Sequence, residues 1–475
     1  MEEFKTKAQV HNHALKIVGK KVIEVNNGQS IAKTKSGVGD AFENWFGKKK
    51  DSDSQPDMQE AGVELKATPI KRNKNGSISA KERLVLNIIN YEEVVKESFE
   101  NSHFLHKNSA IELAFYEWVA ELSKDDYIFT DVALFEMAKN KADFEIIKRD
   151  WHIIDQYIKD GKAHELSERL TTYLSPCTKG ASAKSVRKQP FSDIMAKQRA
   201  YSFKNGFMTY LYNTYILGKA QTEAIVTNPI ELQEKSLEEI IFNKFQQYIG
   251  KTQEELMDLF GVNKQKAPKA RNPEIVKGIL GLKGNYEQAQ EIQKANISVK
   301  TIVVNKGAKT NKEEFKLCEY KFKDVIRETW EDSELREHLQ DTKFLLVVFE
   351  RDGDIQTFKG VKFWEMPEED IEGAVRRVWE DTVEKIKTGV EITYTGNKHL
   401  TNFINSSVED ILFSKLSASQ TSYQKDSPHV DELPADIYWR NIPVAKENDY
   451  SDRYMTKQAW WLNKKYMFEV ISDLL

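Results

Sequence analysis

Cysteine is scarce in this chain, and long apolar runs are absent. Among 475 residues only Cys177 and Cys318 occur, far apart in the sequence. This usage excludes a disulfide framework and is typical of proteins in a reducing cytoplasm. No run approaches the roughly 18 apolar residues that a transmembrane helix needs, and the first residues lack the apolar stretch of a signal peptide. We therefore predict a cytoplasmic protein with no membrane partner.

Two common kinds of binding motif are missing as well. The nine histidines do not alternate with cysteines at zinc-binding spacings, and no glycine cluster forms a phosphate-binding loop of the Walker kind. A net charge of −4 argues against a generally basic nucleic-acid binder. The length and the 40% hydrophobic fraction are sufficient for two or more domains with sizeable cores.

Residues 43–66 concentrate the acidic and basic groups of a metal-dependent phosphodiesterase. Glu64 and Lys66 are two residues apart in an apolar-flanked run, so on a strand they point to the same face. Asp57 lies seven residues before Glu64 and precedes the turn-forming Gly62, which allows a hairpin to bring it beside them. Carboxylates that hold a hard divalent cation, with a cationic group near the water or phosphate, are what phosphodiester hydrolysis requires.

A glycine-containing motif precedes this cluster. Residues 35–43 read Lys-x-Gly-x-Gly-x-x-x-Glu, and residues 38–45 are typical of an amphipathic helix that carries Glu43 on one side. The glycines would allow close backbone approach. The alternative is a capped surface helix followed by an ordinary hairpin. We interpret the run Lys48-Lys49-Lys50 and the residues after it as an exposed, solvated loop.

The order of these motifs resembles the MutH group of PD-(D/E)xK nucleases. This group contains the mismatch-repair nicking endonuclease MutH and type II restriction endonucleases that cut at GATC. The segments at residues 39–50 and 60–69 are more similar to the restriction enzymes. The resemblance to them covers the whole chain, whereas the resemblance to MutH covers one half at a time.

The resemblance implies roles for individual residues. Glu43, Asp57, Glu64 and Lys66 would be catalytic, and the three carboxylates would hold Mg²⁺. A further family lysine would correspond to Lys107, which follows the sequence Phe-Glu-Asn-Ser-His at residues 99–103. The alternative for this lysine is a solvated loop position.

A strongly basic segment interrupts this otherwise acidic protein. Residues 169–222 contain nine lysines and arginines and one acid, Asp193, a local net charge of +8, with aromatic residues interleaved. Such a segment indicates contacts with a phosphate backbone, although a solvated loop and helix is the alternative. The predicted DNA-binding residues are Lys179, Lys184, Arg187, Lys188, Lys197, Arg199 and Lys204. The MutH resemblance places a base-reading Pro-Lys loop at Lys179, with Ser175 and Thr178 as weaker candidates.

The chain also contains a long-range internal repeat. Residues 129–137 recur at 358–366, residues 148–161 at 376–389, and residues 197–208 at 457–467, in the same order. We therefore predict an α/β protein of two tandem restriction-endonuclease-like (MutH-like) domains, each with a mixed central sheet flanked by helices. The predicted boundaries are a catalytic domain at 1–220, a connector at 221–235 and a second domain at 236–475.

The second copy lacks the catalytic carboxylates. In the repeat alignment Glu64 becomes Ser298, Asp57 falls opposite Glu291, and Glu43 falls opposite Lys277. We therefore expect no catalytic Mg²⁺ there and predict a DNA-binding or regulatory role. A basic cluster at residues 264–283 offers a candidate DNA contact.

Together these features predict a Mg²⁺-dependent type II restriction endonuclease that acts on double-stranded GATC. The site sequence follows from the resemblance alone. Self-association on DNA is possible, and a cognate methyltransferase would be the functional counterpart. Two alternatives stay open: a methyl-directed mismatch-repair nicking endonuclease, and a GATC-binding regulator that does not cleave.

Overall fold

The structure is a computed structural model, and it describes most of the chain. The described residues are 4–34, 37–48, 54–73, 76–119, 121–180, 185–219, 222–311, 313–396, 398–443 and 449–475. The chain forms two compact units. The first unit consists of Met1–Lys244 and Lys277–Ser298, and the second of Phe245–Val276 and Val299–Leu475.

The first unit is built around a mixed sheet. Its strands are β1 (Glu64–Arg72), β2 (Ile78–Ala80), β3 (Leu84–Ile88), β4 (Ala110–Glu117), β5 (Phe129–Glu136), β6 (Leu174–Thr178), β7 (Val186–Gln189), β8 (Ser192–Lys197) and β9 (Arg199–Phe203). The central sheet has the order β2-β1-β4-β5, in which β1 and β4 run parallel and the other pairs are antiparallel. A second sheet has the order β3-β9-β6, and β7 and β8 form a separate hairpin.

Most helices before residue 294 precede or connect these strands, but residues 253–259 and 268–276, also helical, belong to the second unit. Up to residue 294 they are α1 (Lys7–Ala14), α2 (Val22–Val25), α3 (Gly37–Trp45), α4 (Tyr91–Val94), α5 (His103–Asn108), α6 (Lys141–Lys159), α7 (Asn205–Leu211), α8 (Glu231–Glu234), α9 (Leu237–Gln246), α10 (Gln253–Leu259), α11 (Pro268–Leu280) and α12 (Gln290–Lys294). A π-helical turn, Tyr212–Ile216, continues α7.

Helix α3 shows how the core positions the candidate site. Val38, Ala41 and Phe42 are buried and belong to one core cluster with Leu65 of β1. Gly37 is required at the start of this helix, because a Cβ there would lie 2.3 Å from Oγ1 of Thr34. The face of β1 that carries Leu65 therefore packs against helices, and the opposite face carries Glu64 and Lys66.

The second unit has a comparable set of elements. Its strands are β10 (Ile297–Asn305), β11 (Phe315–Tyr320), β12 (Lys343–Asp352), β13 (Ile355–Trp364), β14 (Val390–Tyr394), β15 (His399–Thr401), β16 (Leu412–Leu416), β17 (Val430–Glu432), β18 (Ile437–Arg440), β19 (Tyr454–Thr456) and β20 (Gln458–Leu462). Its remaining helices are α13 (Phe322–Val325), α14 (Glu334–Asp341), α15 (Glu368–Asp370), α16 (Arg376–Thr388) and α17 (Lys464–Ile471), with a π-helical turn at Ile371–Val375.

The order of elements agrees with the predicted repeat. The strand order β1-β4-β5 of the first unit recurs as β10-β12-β13, and β3-β9-β6 recurs as β11-β20-β16. The corresponding helices α5 and α14 begin with equivalent serine caps. Ser102 and Ser333 each accept a hydrogen bond from the backbone N–H three residues ahead. The chain is therefore an α/β protein with two tandem units, as the sequence predicts.

The boundary between the units differs from the predicted one. Residues 236–244 and 277–298, assigned from the sequence to the second domain, group with the first unit, as does the predicted connector at 221–235. The carboxylate of Glu291 accepts hydrogen bonds from the backbone N–H groups of Ile225 and Val226, at 2.9 and 3.0 Å. Nζ of Lys294 lies 2.7 Å from Oδ1 of Asp143, and both side chains are almost fully buried. These buried polar contacts attach α12 to the first unit.

In the described part of the chain no helix is long and apolar enough to span a membrane.

Candidate active site

A tight hairpin places the two predicted metal ligands together. Met58 and Val63 pair across it, and Gly62 occupies the left-handed region with φ 63°. The backbone N–H of Asp57 lies 3.3 Å from Oε2 of Glu64, and Oδ2 of Asp57 accepts the N–H of Leu65 at 3.0 Å. The structure thus brings these two carboxylates together through the predicted hairpin.

Three lysines surround this carboxylate pair. Nζ of Lys66 lies 2.7 Å from Oε1 of Glu64, and Nζ of Lys107 lies 3.8 Å from Oε2 of the same residue. Nζ of Lys48 lies 2.9 Å from Oδ1 of Asp57. The side chains of Lys107 and Lys48 are only 14% and 11% exposed, so neither occupies a solvated loop. The interpretation of Lys48 as a solvated residue is therefore wrong, whereas residues 49–53 lie outside the described residues.

Helix α5 holds both Lys107 and the segment that leads to Asp57. Ser102 caps this helix by accepting from the N–H of Leu105 at 3.1 Å. Nε2 of His103 lies 2.7 Å from the carbonyl oxygen of Ser54, and Nε2 of His106 lies 2.7 Å from Oε1 of Gln55. The sequence motif before Lys107 contains His103 but gave it no role, and His106 was not identified; its signal is its place one residue before Lys107 on the helix.

Burial is the main cause of the raised pKa values of the carboxyl groups at the site, and neighbouring charges modify them. Burial and then the neighbouring Asp57 raise the pKa of Glu43 to about 7, against the lowering effect of Lys66. Burial also raises the pKa of Glu64, with Asp57 adding to the rise and Lys66 and Lys107 opposing it. Added positive charge would therefore stabilise the ionised carboxylates.

Asp57 and Glu64 fit a magnesium site. Within the described ranges, no three or more His, Cys, Asp or Glu side chains are already arranged to hold a metal ion. The charges of Asp57 and Lys66 act on Glu43, and its role as a third ligand stays a prediction. Mg²⁺ commonly binds one or two carboxylates and completes its octahedron with waters and phosphate oxygens, which this pair can accommodate.

Comparison with known proteins gives the family. A family model described as the DNA mismatch repair enzyme MutH matches residues 46–150, which include Asp57, Glu64, Lys66 and Lys107. The type II restriction enzyme Sau3AI of Staphylococcus aureus is 50% identical over 495 aligned residues that cover 100% of both chains. This chain belongs to the MutH-related type II restriction endonucleases. It is accordingly a site-specific deoxyribonuclease, and the alternative of a regulator that does not cleave is rejected.

The predicted DNA-binding residues of this restriction endonuclease separate into exposed and buried groups. The exposed group contains Thr178, Lys179, Arg187, Lys188 and Lys197, and Lys184 lies outside the described residues.

Three of the predicted DNA contacts are buried instead. Arg199 is 3% exposed and donates to the carbonyl oxygen of Pro176 at 2.7 Å. Lys204 is 1% exposed, and its Nζ lies 2.8 Å from the carbonyl oxygen of Thr171. Ser175 is buried against Ser202. Arg199 and Lys204 satisfy buried backbone carbonyls, so the structure contradicts their prediction as phosphate contacts, and a buried Ser175 is not available to a base edge.

In the second copy of the repeat, residues opposite the catalytic positions make other contacts. Glu291, opposite Asp57 in the repeat, is the buried carboxylate that accepts from Ile225 and Val226 in the first unit. The shared caps at Ser102 and Ser333 place His338 opposite Lys107.

The basic cluster at residues 264–283 is largely neutralised by neighbouring acids. Lys264 pairs with Glu254 and Asp258, and Lys266 pairs with Glu274. Lys269 lies 3.1 Å from Glu313. These ion pairs reduce the positive field that the sequence suggested.

Proposed function

We propose that this endonuclease cuts both strands of DNA at GATC in a Mg²⁺-dependent reaction. The observation that carries the proposal is the Asp57 and Glu64 pair on a hairpin, flanked by Lys66 and Lys107. The GATC site follows from the resemblance to the restriction enzymes, supported by the full-length similarity to Sau3AI.

Each side chain at the site would have a separate role in hydrolysis. Asp57 and Glu64 would hold the cation, which would supply Lewis-acid polarisation of the phosphate and a more acidic water. Lys66 would orient the attacking water or stabilise the developing negative charge. Lys107, on α5, would position Glu64 by pairing with the carboxylate oxygen that Lys66 does not contact. Glu43, with a pKa near neutrality, would accept a proton near the site.

DNA would be bound by the exposed cations of the first unit. Arg187, Lys188 and Lys197 would contact phosphates, and Lys179 would contact a base edge beside Thr178. Because residues 221–244 and 277–298 group with this unit, the catalytic body would include them besides residues 1–220.

The second copy of the repeat would bind or regulate rather than cut, since Ser298 stands where Glu64 stands in the first copy. One cutting site per chain requires either two chains on a palindrome or two successive cuts, so we propose self-association on DNA. A cognate methyltransferase would protect the host's own GATC sites in the cytoplasm. Full-length similarity to a type II enzyme favours this assignment over a mismatch-repair nicking enzyme.

The proposal is tested by digesting a plasmid that has one GATC site, with Mg²⁺, with Ca²⁺ and with EDTA. We expect linear product in Mg²⁺ alone, with both strands ending at GATC when the termini are sequenced. Nicked circles that do not become linear would instead support the nicking alternative. Cuts at unrelated sequences would reject GATC specificity.

A further inference from the structure

The hairpin of β7 and β8, residues 186–197, displays apolar side chains to solvent. Phe191 at its tip is 74% exposed, Ile194 is 56% exposed and Met195 is 47% exposed. Ile194 and Met195 are consecutive on β8 and lie on its two faces. Single exposed apolar residues are common, but three within five residues concentrate exposed apolar surface at one hairpin tip, called the patch below. Such patches on folded proteins mark binding surfaces.

The tip is held in a conformation that Phe191 does not favour by itself. Phe191 has φ 63°, a region that a bulky residue rarely occupies. Its carbonyl oxygen packs against Gly161, where an added Cβ would lie 2.6 Å away. The surrounding fold therefore fixes the backbone of the tip while the ring stays in solvent, an arrangement that indicates function.

A buried glutamine braces the same hairpin. Gln189 is 5% exposed, and its Nε2 donates to the carbonyl oxygen of Ile194 at 2.6 Å. Its Oε1 accepts the backbone N–H of Ala163 at 2.7 Å. The hairpin is thus anchored to the turn after α6 and presents its tip as a preorganised projection.

The charges around the patch indicate which ligand it binds. Arg187, Lys188 and Lys197 are exposed on the hairpin, which carries one acid, Asp193. A second copy of the chain that paired through the same patch would bring these cations against their equivalents. Duplex DNA instead offers phosphates to the cations and stacked bases to the apolar side chains. Proteins that bend DNA insert apolar wedges of this kind between base steps.

We propose that this hairpin is a DNA wedge that inserts Phe191 between base pairs of the bound duplex. Ile194 and Met195 contact the adjacent sugar and base edges, and Arg187 and Lys188 hold the phosphates on either side. The wedge rests on the proposed function, since it needs duplex DNA as the ligand. It adds an unstacking step to binding, which would make recognition sensitive to the deformability of the site.

The test uses the full chain with 2-aminopurine duplexes in Ca²⁺, so that binding is observed without cleavage. The variant is Phe191→Asn, because Asn tolerates a positive φ and removes the ring. Wild type should increase 2-aminopurine fluorescence at one base step. Phe191→Asn should abolish that increase and weaken binding roughly 10-fold to 100-fold, with an unchanged salt slope because no charge is lost.

Two controls keep the result specific. Phe191→Leu retains an apolar wedge and should keep most of the fluorescence increase. Val408→Ala removes a 73% exposed apolar side chain of the second unit and should behave as wild type. Cleavage of a GATC plasmid by wild type reports on the proposed function alone, whereas unstacking and affinity report on the wedge.

The wedge is rejected if Phe191→Asn retains the fluorescence increase and the affinity of wild type. It is also rejected if that variant unfolds at a clearly lower temperature, since the ring would then be a structural contact. A change of oligomeric state without DNA, seen by sedimentation with normal unstacking, would assign the patch to a second copy instead.

Discussion

The ammonium group of Lys48 lies 2.9 Å from Oδ1 of Asp57, and the other oxygen of that carboxylate accepts the N–H of Leu65. A lysine thus neutralises the carboxylate that we propose as a metal ligand. A divalent cation would compete with this ammonium for Asp57. Lys48 would therefore stabilise the metal-free protein and weaken its affinity for the cation.

Replacement of Lys48 tests this competition. We expect Lys48→Met to tighten Ca²⁺ or Mn²⁺ binding roughly 10-fold, measured calorimetrically, because one nearby positive charge is removed. The metal-free variant should lose about 1–3 kcal/mol of unfolding free energy, because Oδ1 of Asp57 loses its ion pair while Oδ2 keeps its hydrogen bond from Leu65. Weaker metal binding by the variant would contradict this role. Lys96→Met, which removes an exposed ion pair with Glu93, is the control and should change neither quantity.

Glu112 predicts a pH dependence of stability. This carboxyl group is fully buried, with Oε1 2.9 Å from Nδ1 of His11, and burial raises its pKa to about 7. Between the unfolded value near 4.5 and about 7, the native state binds more protons than the unfolded state, so stability falls as pH rises. Wild type should lose unfolding free energy between pH 5 and pH 8, measured by urea unfolding. Glu112→Gln should reduce that loss by about 2–3 kcal/mol.

Glu136 provides the control of opposite sign. Its hydrogen bond from Lys7 lowers its pKa, so its contribution is present above the unfolded pKa and is lost as the pH falls. Glu136→Gln should leave the loss of unfolding free energy between pH 5 and pH 8 unchanged. The same loss in Glu112→Gln as in wild type would contradict the assignment to Glu112.

The Asp143 and Lys294 pair predicts where the catalytic unit ends. Both side chains are buried, and burial raises the pKa of Asp143 against the effect of Lys294. Lys294→Met alone should cost about 3–5 kcal/mol, because it leaves a buried carboxylate without its partner. The double variant with Asp143→Asn should recover much of that loss. For the same reason, residues 1–220 should fold less stably than residues 1–298 in parallel urea unfolding, and equal stabilities would contradict the boundary.

Exposed and buried lysines of the basic segment should behave differently. Arg187→Ala combined with Lys188→Ala should lower the slope of log affinity against log salt by about 2. Lys204→Met should instead lower stability, because the carbonyl of Thr171 loses its buried partner, and should leave the salt slope unchanged. Filter binding at four salt concentrations and thermal unfolding separate the two effects. A reduced salt slope in Lys204→Met would show that the lysine reaches DNA.

The sequence was sufficient to predict the local geometry of the catalytic hairpin. The period-two spacing of Glu64 and Lys66 defined one strand face, and Gly62 marked the turn that returns Asp57 to it. These are local relationships that follow from backbone geometry. The repeat was also visible, because both copies keep the same order of strands.

Long-range packing was not accessible in the same way. Lys204 belongs to the basic segment of the sequence, yet it lies in the interior. The carbonyl oxygen of Thr171 accepts its hydrogen bond there. Lys48 belongs to a run of three lysines, and only the fold shows that it reaches Asp57. The sequence assigned Glu291 to the second domain, but its carboxylate accepts a hydrogen bond from the backbone N–H of Ile225, and both residues lie in the first unit.

We infer that the first copy of the repeat cuts and the second copy does not, and paired variants of equivalent positions test this directly. Glu64→Ala and Ser298→Ala change the same strand position in the two copies. We measure plasmid cleavage in Mg²⁺ and GATC duplex binding in Ca²⁺ for both purified proteins. We expect that Glu64→Ala loses cleavage by at least about 10³-fold while GATC binding persists, and that Ser298→Ala cuts as wild type. Cleavage retained by Glu64→Ala, or lost in Ser298→Ala, would contradict it.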